Sequence, residues 1–294
     1  MNAFDYREPD TLEEALALVH DLGEDARVIA GGTALVIMLK QRLVMPECLI
    51  SLRKLHTLNR LDLSDGELRL GALTTHRTVE TSPLIRTRIP VLAETYSQVG
   101  TLRIRNVATV GGGLAHADPN QDPPATLMAL DARVQLAAVT GRREVALDEF
   151  FIDYYETVRQ PDELATEVIV PVPKPRSGSV YVKFLPRTAD DYATVGVAAT
   201  VCLDPATGAC QDCRIAMACV APTPVRAREA ETLVCGQRLT PELAREAGAV
   251  AQRLTDPIGD FRGSADYKRA MTGVFVRRAL QEAWRRASVS QATG

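Results

Sequence analysis

Two short stretches hold glycines where backbone amides could do the binding: Ile29-Ala30-Gly31-Gly32-Thr33 and Thr109-Val110-Gly111-Gly112-Gly113. A glycine pair at a strand-to-helix turn exposes successive N–H groups, and the helix start beyond it favours an anion. With no Cβ in the way, such a backbone can approach a ligand closely. The Thr33 hydroxyl could add a bond to a phosphate oxygen. Neither the P-loop nor the GxGxxG spacing is met, so the usual nucleotide motifs do not apply. Taken alone, the first stretch reads equally well as a helix-entry turn and the second as a flexible loop. Taken together, two backbone nests in one domain could grip a ligand with two phosphates.

The second stretch runs on into His116, Asp118, Asp122 and three prolines. His116 could be an acid–base group. Asp118 and Asp122 lack the spacing of a cation loop. They suit hydrogen bonds to ligand hydroxyls, or the cap of a helix beginning near Pro123. His20, His56 and His76 have no partners at ligand spacing and read as surface or helix-end residues. Of the six cysteines, Cys210 and Cys213 form a CxxC. A four-thiolate site needs a second pair nearby, and cysteine also serves as a small buried hydrophobe. Free structural thiols are the expectation. Trp284, on the last helix, suits a core or a subunit interface.

The elements that must position these residues follow from pattern. Thr11 with Glu14 reads as a capping box before an apolar helical stripe. The strand ARVIA, the glycine turn, a helix over about 34–42 and the strand CLISL then make a small α/β unit. Residues 60–73 predict a hairpin about Asp65-Gly66. Helical pattern runs through 75–97, broken near Pro83 and Pro90. ATLMALDARVQLAAV predicts a helix leading into a strand, and TEVIVPVP a further strand ending at Pro171. The run PVPKPRSGS is the best domain boundary. Beyond it YVKFLP, TVGVAATVCLD and CRIAMACV predict three strands, followed by a helix opened by Thr240-Pro241 and a longer one over 264–285. The fold class expected is α+β: a two-lobed α/β domain over 1–175, with lobes of about 1–56 and 57–175, then a smaller domain over 176–294 with a three-stranded antiparallel sheet and helices.

Bulk properties narrow the function classes. At 294 residues the chain is long for one core and suggests two domains. A net charge of −3 with both signs mixed argues against nucleic-acid binding, which needs a basic face. No apolar run approaches the roughly 18 residues needed to span a bilayer. The N-terminal MNAFDYREPD lacks the charged-then-apolar pattern of a signal peptide, so a cytoplasmic protein is expected.

The two glycine stretches, with the residues around them, resemble one family. The first continues through Lys40-Gln41-Arg42, Pro46, Leu49 and Ile50. The second is preceded by Ile104-Arg105-Asn106 and followed by Ala115-His116-Ala117-Asp118-Pro119 and Asp122. Lys183 to Ala193 and RIAMACVAPTPVR extend the match over nearly the whole chain. The family is that of the FAD-binding medium subunits of molybdenum hydroxylases, such as xanthine dehydrogenase, carbon monoxide dehydrogenase and quinoline oxidoreductase. The resemblance implies an FAD-carrying electron-transfer subunit, an oxidoreductase component with no substrate catalysis of its own. FAD would lie between the lobes and the C-terminal domain. It would be held by Ile29, Ala30, Gly31, Gly32, Thr33, Ala34 and Leu35, and by Thr109, Val110, Gly111, Gly112 and Gly113. Asp122 matches a cofactor-contacting aspartate and Lys183 a lysine of the last domain. Residues 187–192 match a segment beside the flavin ring, with Tyr192 placed to cover its face.

The implied partners are a large subunit carrying the molybdopterin cofactor and a small subunit with two [2Fe-2S] clusters, as a dimer of heterotrimers (a heterohexamer). The chain departs from the family pattern at Val107-Ala108, where an arginine or glycine pair is frequent, and at Gly113, usually asparagine or another polar residue. It has no cysteine between Cys48 and Cys202, so the [4Fe-4S] cluster of one branch is not expected. Two other readings remain: a self-contained flavin oxidase or dehydrogenase, and a scaffold subunit that has lost FAD.

Overall fold

Helix starts follow the caps the sequence supplies. In a computed structural model, which describes residues 3–185 and 192–289, the Thr11 side chain accepts from the Glu14 N–H, opening the helix Leu12–Leu22. The Glu14 carboxylate accepts in turn from the Asp10 N–H at 2.8 Å. Thr240 caps Pro241–Arg253 in the same way, with proline at the first helical position where no N–H is needed.

The described chain forms two compact units that interleave along the sequence. One comprises Met1–Val79, Thr101–Ala117 and Ala132–Val170; the other Glu80–Gly100, Asp118–Asp131 and Pro171–Gly294. In the first unit, a three-stranded parallel sheet has the order Asp5–Arg7, Cys48–Ser51, Ala26–Ile29. The sequence pattern missed Asp5–Arg7, which is too short and too exposed to alternate. Ala15, Leu16 and Val19 of the first helix bury against Ile50, Leu52 and Leu55. A five-stranded sheet holds the expected hairpin, Leu61–Ser64 with Glu67–Gly71, and the strands Arg133–Ala138, Gly141–Ala146 and Leu164–Pro171.

The second unit is built on Ser177–Phe184, Val195–Leu203 and Cys210–Ala218, paired antiparallel. The expected three-stranded sheet carries a fourth strand, Val225–Arg226, paired to Cys210–Ala218. Two residues are too few to leave a period in the sequence. Every residue of the central strand Val195–Leu203 is buried. The long helix Ala265–Val289 lays Phe275, Val276, Ala279, Leu280 and Ala283 into the same core as Val197, Ala199 and Ile215. Gly178 makes that approach possible, since a Cβ there would stand 2.0 Å from the Ala283 carbonyl oxygen. Among the described residues no helix is long and apolar enough to cross a membrane.

Candidate functional site

In the first unit the two glycine stretches meet. A Cβ on Gly31 would stand 1.9 Å from the Val107 carbonyl oxygen, and one on Gly112 would stand 3.6 Å from the Ala30 Cβ. Gly31 therefore serves first to let the chain's own backbone close up, rather than to clear room for a ligand. Gly32 adopts φ +70°, the left-handed conformation that glycine takes without strain. The helix Leu35–Lys40 follows, its first capping residue Ala34 offering no side-chain acceptor.

Hydrogen bonding distinguishes the two stretches. Among the described residues, the backbone N–H groups of Gly31, Gly32, Thr33, Ala34 and Leu35 have no protein acceptor; the nearby bonds begin with Val36 N–H to Gly32 O. All five residues are half-buried, so the donors are sheltered but not sealed. Unsatisfied sheltered amides are costly and seek an acceptor. A run of five is suited to an oxygen-rich anion.

The expected second nest is corrected. Thr109–Gly113 is not an open turn but the start of the helix Val110–His116. Val110 N–H donates to Thr74 O and Gly111 N–H to Ala72 O, both at 2.9 Å, and Gly113 N–H to Thr109 O. Gly112 N–H goes to the Thr109 hydroxyl at 3.2 Å. The amides are already satisfied by the protein, so this stretch supplies a glycine surface, not a set of free donors. Gly111 is required by fit: its Cβ would be 2.4 Å from the Ala72 Cβ. A Thr109→Ala chain should lose about 1 kcal/mol of stability, read as a lower denaturant midpoint with unchanged m-value.

His116 packs its ring on Tyr155, with centroids 5.2 Å apart. His76 opens a helix as expected but is buried rather than at the surface, and burial pushes its pKa down to about 4.

The second unit holds the remaining expected residues. Asp122 precedes the helix Pro123–Ala129 without capping it. Its carboxylate is buried and accepts from the Tyr181 hydroxyl at 2.5 Å and from the Lys183 ammonium at 2.8 Å. Lys183 also donates to Gln98 O at 2.9 Å, and its side chain is 2% exposed. Burial raises the Asp122 pKa, with the opposing pull of Lys183 and the Tyr181 hydroxyl. Burial and the carboxylate together push the Tyr181 hydroxyl up. The expected helix cap is thus a buried ion pair. Tyr181 was not foreseen, although strand alternation puts it on the face of Lys183. Gly196 leaves room for it, since a Cβ there would be 2.4 Å from the Tyr181 hydroxyl oxygen.

Tyr192 is 44% exposed and donates its hydroxyl to Asp118 at 2.9 Å. Asp118 is buried and also accepts from the Asn120 amide groups. The Arg262 guanidinium lies 5.5 Å from the centre of the Tyr192 ring, a contact no sequence signal announced. Residues 187–191 lie outside the described residues. No cluster of three or more His, Cys, Asp or Glu fit to hold a metal occurs among the described residues.

Comparison with known proteins agrees with this architecture. Residues 2–173 match the family model of the FAD binding domain in molybdopterin dehydrogenase. Residues 180–283 match that of the CO dehydrogenase flavoprotein C-terminal domain. The carbon monoxide dehydrogenase medium chain of Hydrogenophaga pseudoflava is 36% identical over 283 residues, 96% of this chain and 98% of that one. A solved structure of the carbon monoxide dehydrogenase from that organism superposes with a TM-score of 0.93 at 37% identity, covering 97% and 98% of the two chains. Quinoline 2-oxidoreductase from Pseudomonas putida 86 superposes with a TM-score of 0.90 at 31% identity, covering 97% and 98%.

Proposed function

This chain belongs to the family of FAD-binding medium subunits of molybdenum hydroxylases, and we propose that it holds the FAD pyrophosphate on the backbone amides of Gly31–Leu35. The observation that carries this reading is the run of five half-buried N–H groups without protein acceptors, set beside Val107 by the absence of a Gly31 side chain. The donor set fits two linked phosphates, which offer several oxygens at once. Thr33 adds its hydroxyl. Ile29 and Ala30 lead the chain into the turn, and the glycine-rich start of the helix Val110–His116 adjoins it through Gly112.

In the second unit, Tyr192 offers an aromatic face steadied by Asp118 and Arg262. Asp122 and Lys183 hold the local frame through their ion pair. FAD, when bound, takes up and releases one or two electrons. The chain's residues bind it and orient it.

The proposed role is to accept electrons that originate at a molybdopterin cofactor on a large subunit. They would arrive through two [2Fe-2S] clusters on a small subunit and leave to an external acceptor. A dimer of heterotrimers in the cytoplasm is the proposed assembly. The proposed domain boundary lies near residue 175, where the first family match ends at 173 and the second begins at 180.

Titration of the FAD-stripped chain with FAD and with riboflavin tests the pyrophosphate assignment. FAD should bind at least a hundred-fold more tightly, because riboflavin has nothing for the five amides. Equal affinities would remove the assignment. Reduction of the flavin by small substrates in the isolated chain would favour a self-contained oxidase instead.

A further inference from the structure

Three cysteines of the second unit, none of them assigned above to the flavin, are brought near one another by a strand bulge and a helix end. Cys210 and Cys213 are three apart on one strand, a spacing that ordinarily turns them to opposite faces. A bulge changes this. Cys213 pairs with Val201, Asp212 with Cys202, and then Cys210 with Leu203, leaving Gln211 without an opposite number. Val201 and Leu203 share a face, so Cys210 and Cys213 share one too, and both are buried. The end of the helix Arg228–Val234 brings in the third thiol. Cys235 follows that helix, and its neighbours are tied to Cys210 by Gly236 N–H to Cys210 O and Cys210 N–H to Gln237 O, both 2.8 Å. The Cys210 Sγ donates to the Asp212 carbonyl oxygen at 3.3 Å. Cys235 alone of the three is exposed.

We propose that Cys210 and Cys235 form a thiol pair that low-molecular-weight disulfides convert to an intramolecular disulfide, with Cys235 the attacked-from surface and Cys210 the resolving thiol. In the first step the Cys235 thiolate bonds to one sulfur of the small disulfide, whose S–S bond breaks and releases one small thiol. In the second, the Cys210 thiolate bonds to the Cys235 sulfur and displaces the other small thiol. Two protein thiols are oxidised and one small disulfide is reduced to two thiols, so atoms and electrons balance.

The environment assigns these roles. Hydrogen bonds from Cys213 and Cys235 lower the Cys210 pKa, although burial opposes them. Cys210 is the sulfur needed as a thiolate for the second step, and a lowered pKa favours it there. Cys235 is raised to about 11, chiefly by burial and by the Cys210 charge, so the first step is the slow one. Cys213 is raised well above its ordinary value by its bond to Cys210 and by burial, and it stays a donor. Asp212 and Glu231 are the acidic groups facing the cluster, and both disfavour further ionisation. A metal does not fit here among the described residues. Cys210 and Cys213 do not form the bond themselves, because residues three apart along an extended strand hold their Cα atoms too far apart.

Incubation of the full-length chain with oxidised glutathione, followed by non-reducing peptide mapping, tests the proposal. The expected main product joins Cys210 to Cys235 and leaves Cys213 free to alkylate after unfolding. Cys210→Ser should stop at a glutathione adduct on Cys235, and Cys213→Ala should still form the cross-link. The cross-linked chain should melt a few degrees higher, and dithiothreitol should reverse the shift. A wild-type chain that stops at the Cys235 adduct, joins Cys210 to Cys213, or leaves Cys235 untouched would overturn it. Wild-type mapping decides this even where a variant folds poorly.

Discussion

A Gly31→Ala chain is expected to bind FAD at least ten-fold more weakly than the parent and to melt several degrees lower. The added methyl would stand 1.9 Å from the Val107 carbonyl oxygen, 2.8 Å from its carbon and 3.0 Å from the Ala108 Cα. All three are backbone atoms, so no rotamer change relieves the contact. The two segments must part, at a cost of about 1–3 kcal/mol or more. That opening also moves the start of the amide run. Gly32→Ala gives the contrast. Its methyl would meet only the ends of the Ile29 and Val36 side chains at 3.2 and 3.3 Å, and its φ of +70° adds a strain of roughly 1 kcal/mol. Calorimetry and FAD titration of both variants measure the difference. If Gly31→Ala kept the parent's melting temperature and FAD affinity, the close approach would have no part in either.

The second large effect is expected at Lys183. Lys183→Met keeps much of the side-chain volume but leaves the Asp122 carboxylate buried with only the Tyr181 hydroxyl as donor. Removing one member of a buried pair costs on the order of 3–5 kcal/mol. The loss should depend on pH. The Asp122 pKa is already raised in the folded chain by burial, and Lys183 provides the first two opposing contributions. Without Lys183 it rises further. A carboxyl whose folded pKa lies above its unfolded value contributes stability that is present below the unfolded pKa and lost as pH rises through the folded one. The deficit of Lys183→Met should therefore grow as pH rises from the ordinary carboxylate range towards neutrality. Adding Asp122→Asn should recover a large part of it, because the two sites share one interaction. Urea unfolding across that range tests this, and a deficit independent of pH would count against the buried-pair account. The flavin potential measured on the same variant tests a separate idea, that Lys183 stabilises charge on the reduced cofactor; an unchanged potential would refute it.

Much of the architecture was legible because it is periodic or punctuated. Thr11, Thr240 and Pro241 marked helix starts, Asp65-Gly66 marked a hairpin, and short apolar runs marked the strands of the second unit. The glycine stretches were legible as a pair, but not their division of labour. Three glycines in a row argue against a helix by propensity. The carbonyls of Ala72 and Thr74 override that preference and are tertiary partners no local pattern records, while the Thr109 hydroxyl caps the helix locally. The same holds for Asp122. Its position beside Pro123 suggested a cap, whereas its partners Tyr181 and Lys183 lie some sixty residues away. Tyr181 and Lys183 alternate on one strand, so their common face was readable; their target was not. The Arg262–Tyr192 contact joins a loop to a residue with no shared spacing, and only the folded chain shows it.

The interleaving of the two units constrains how this protein can be made. The first unit needs the segment ending at Val170 to complete its five-stranded sheet. The second recruits Glu80–Gly100 and Asp118–Asp131, which leave the ribosome long before Pro171–Gly294. Val91, Leu92 and Tyr96, and later Ala125, Leu127 and Met128, are fully or nearly fully buried in the finished chain. During synthesis they wait, apolar and uncovered, for more than a hundred residues still to come. A nascent chain stopped near residue 175 would present those faces to the cell. The early helices of the second unit are therefore covered only once Pro171–Gly294 has been made.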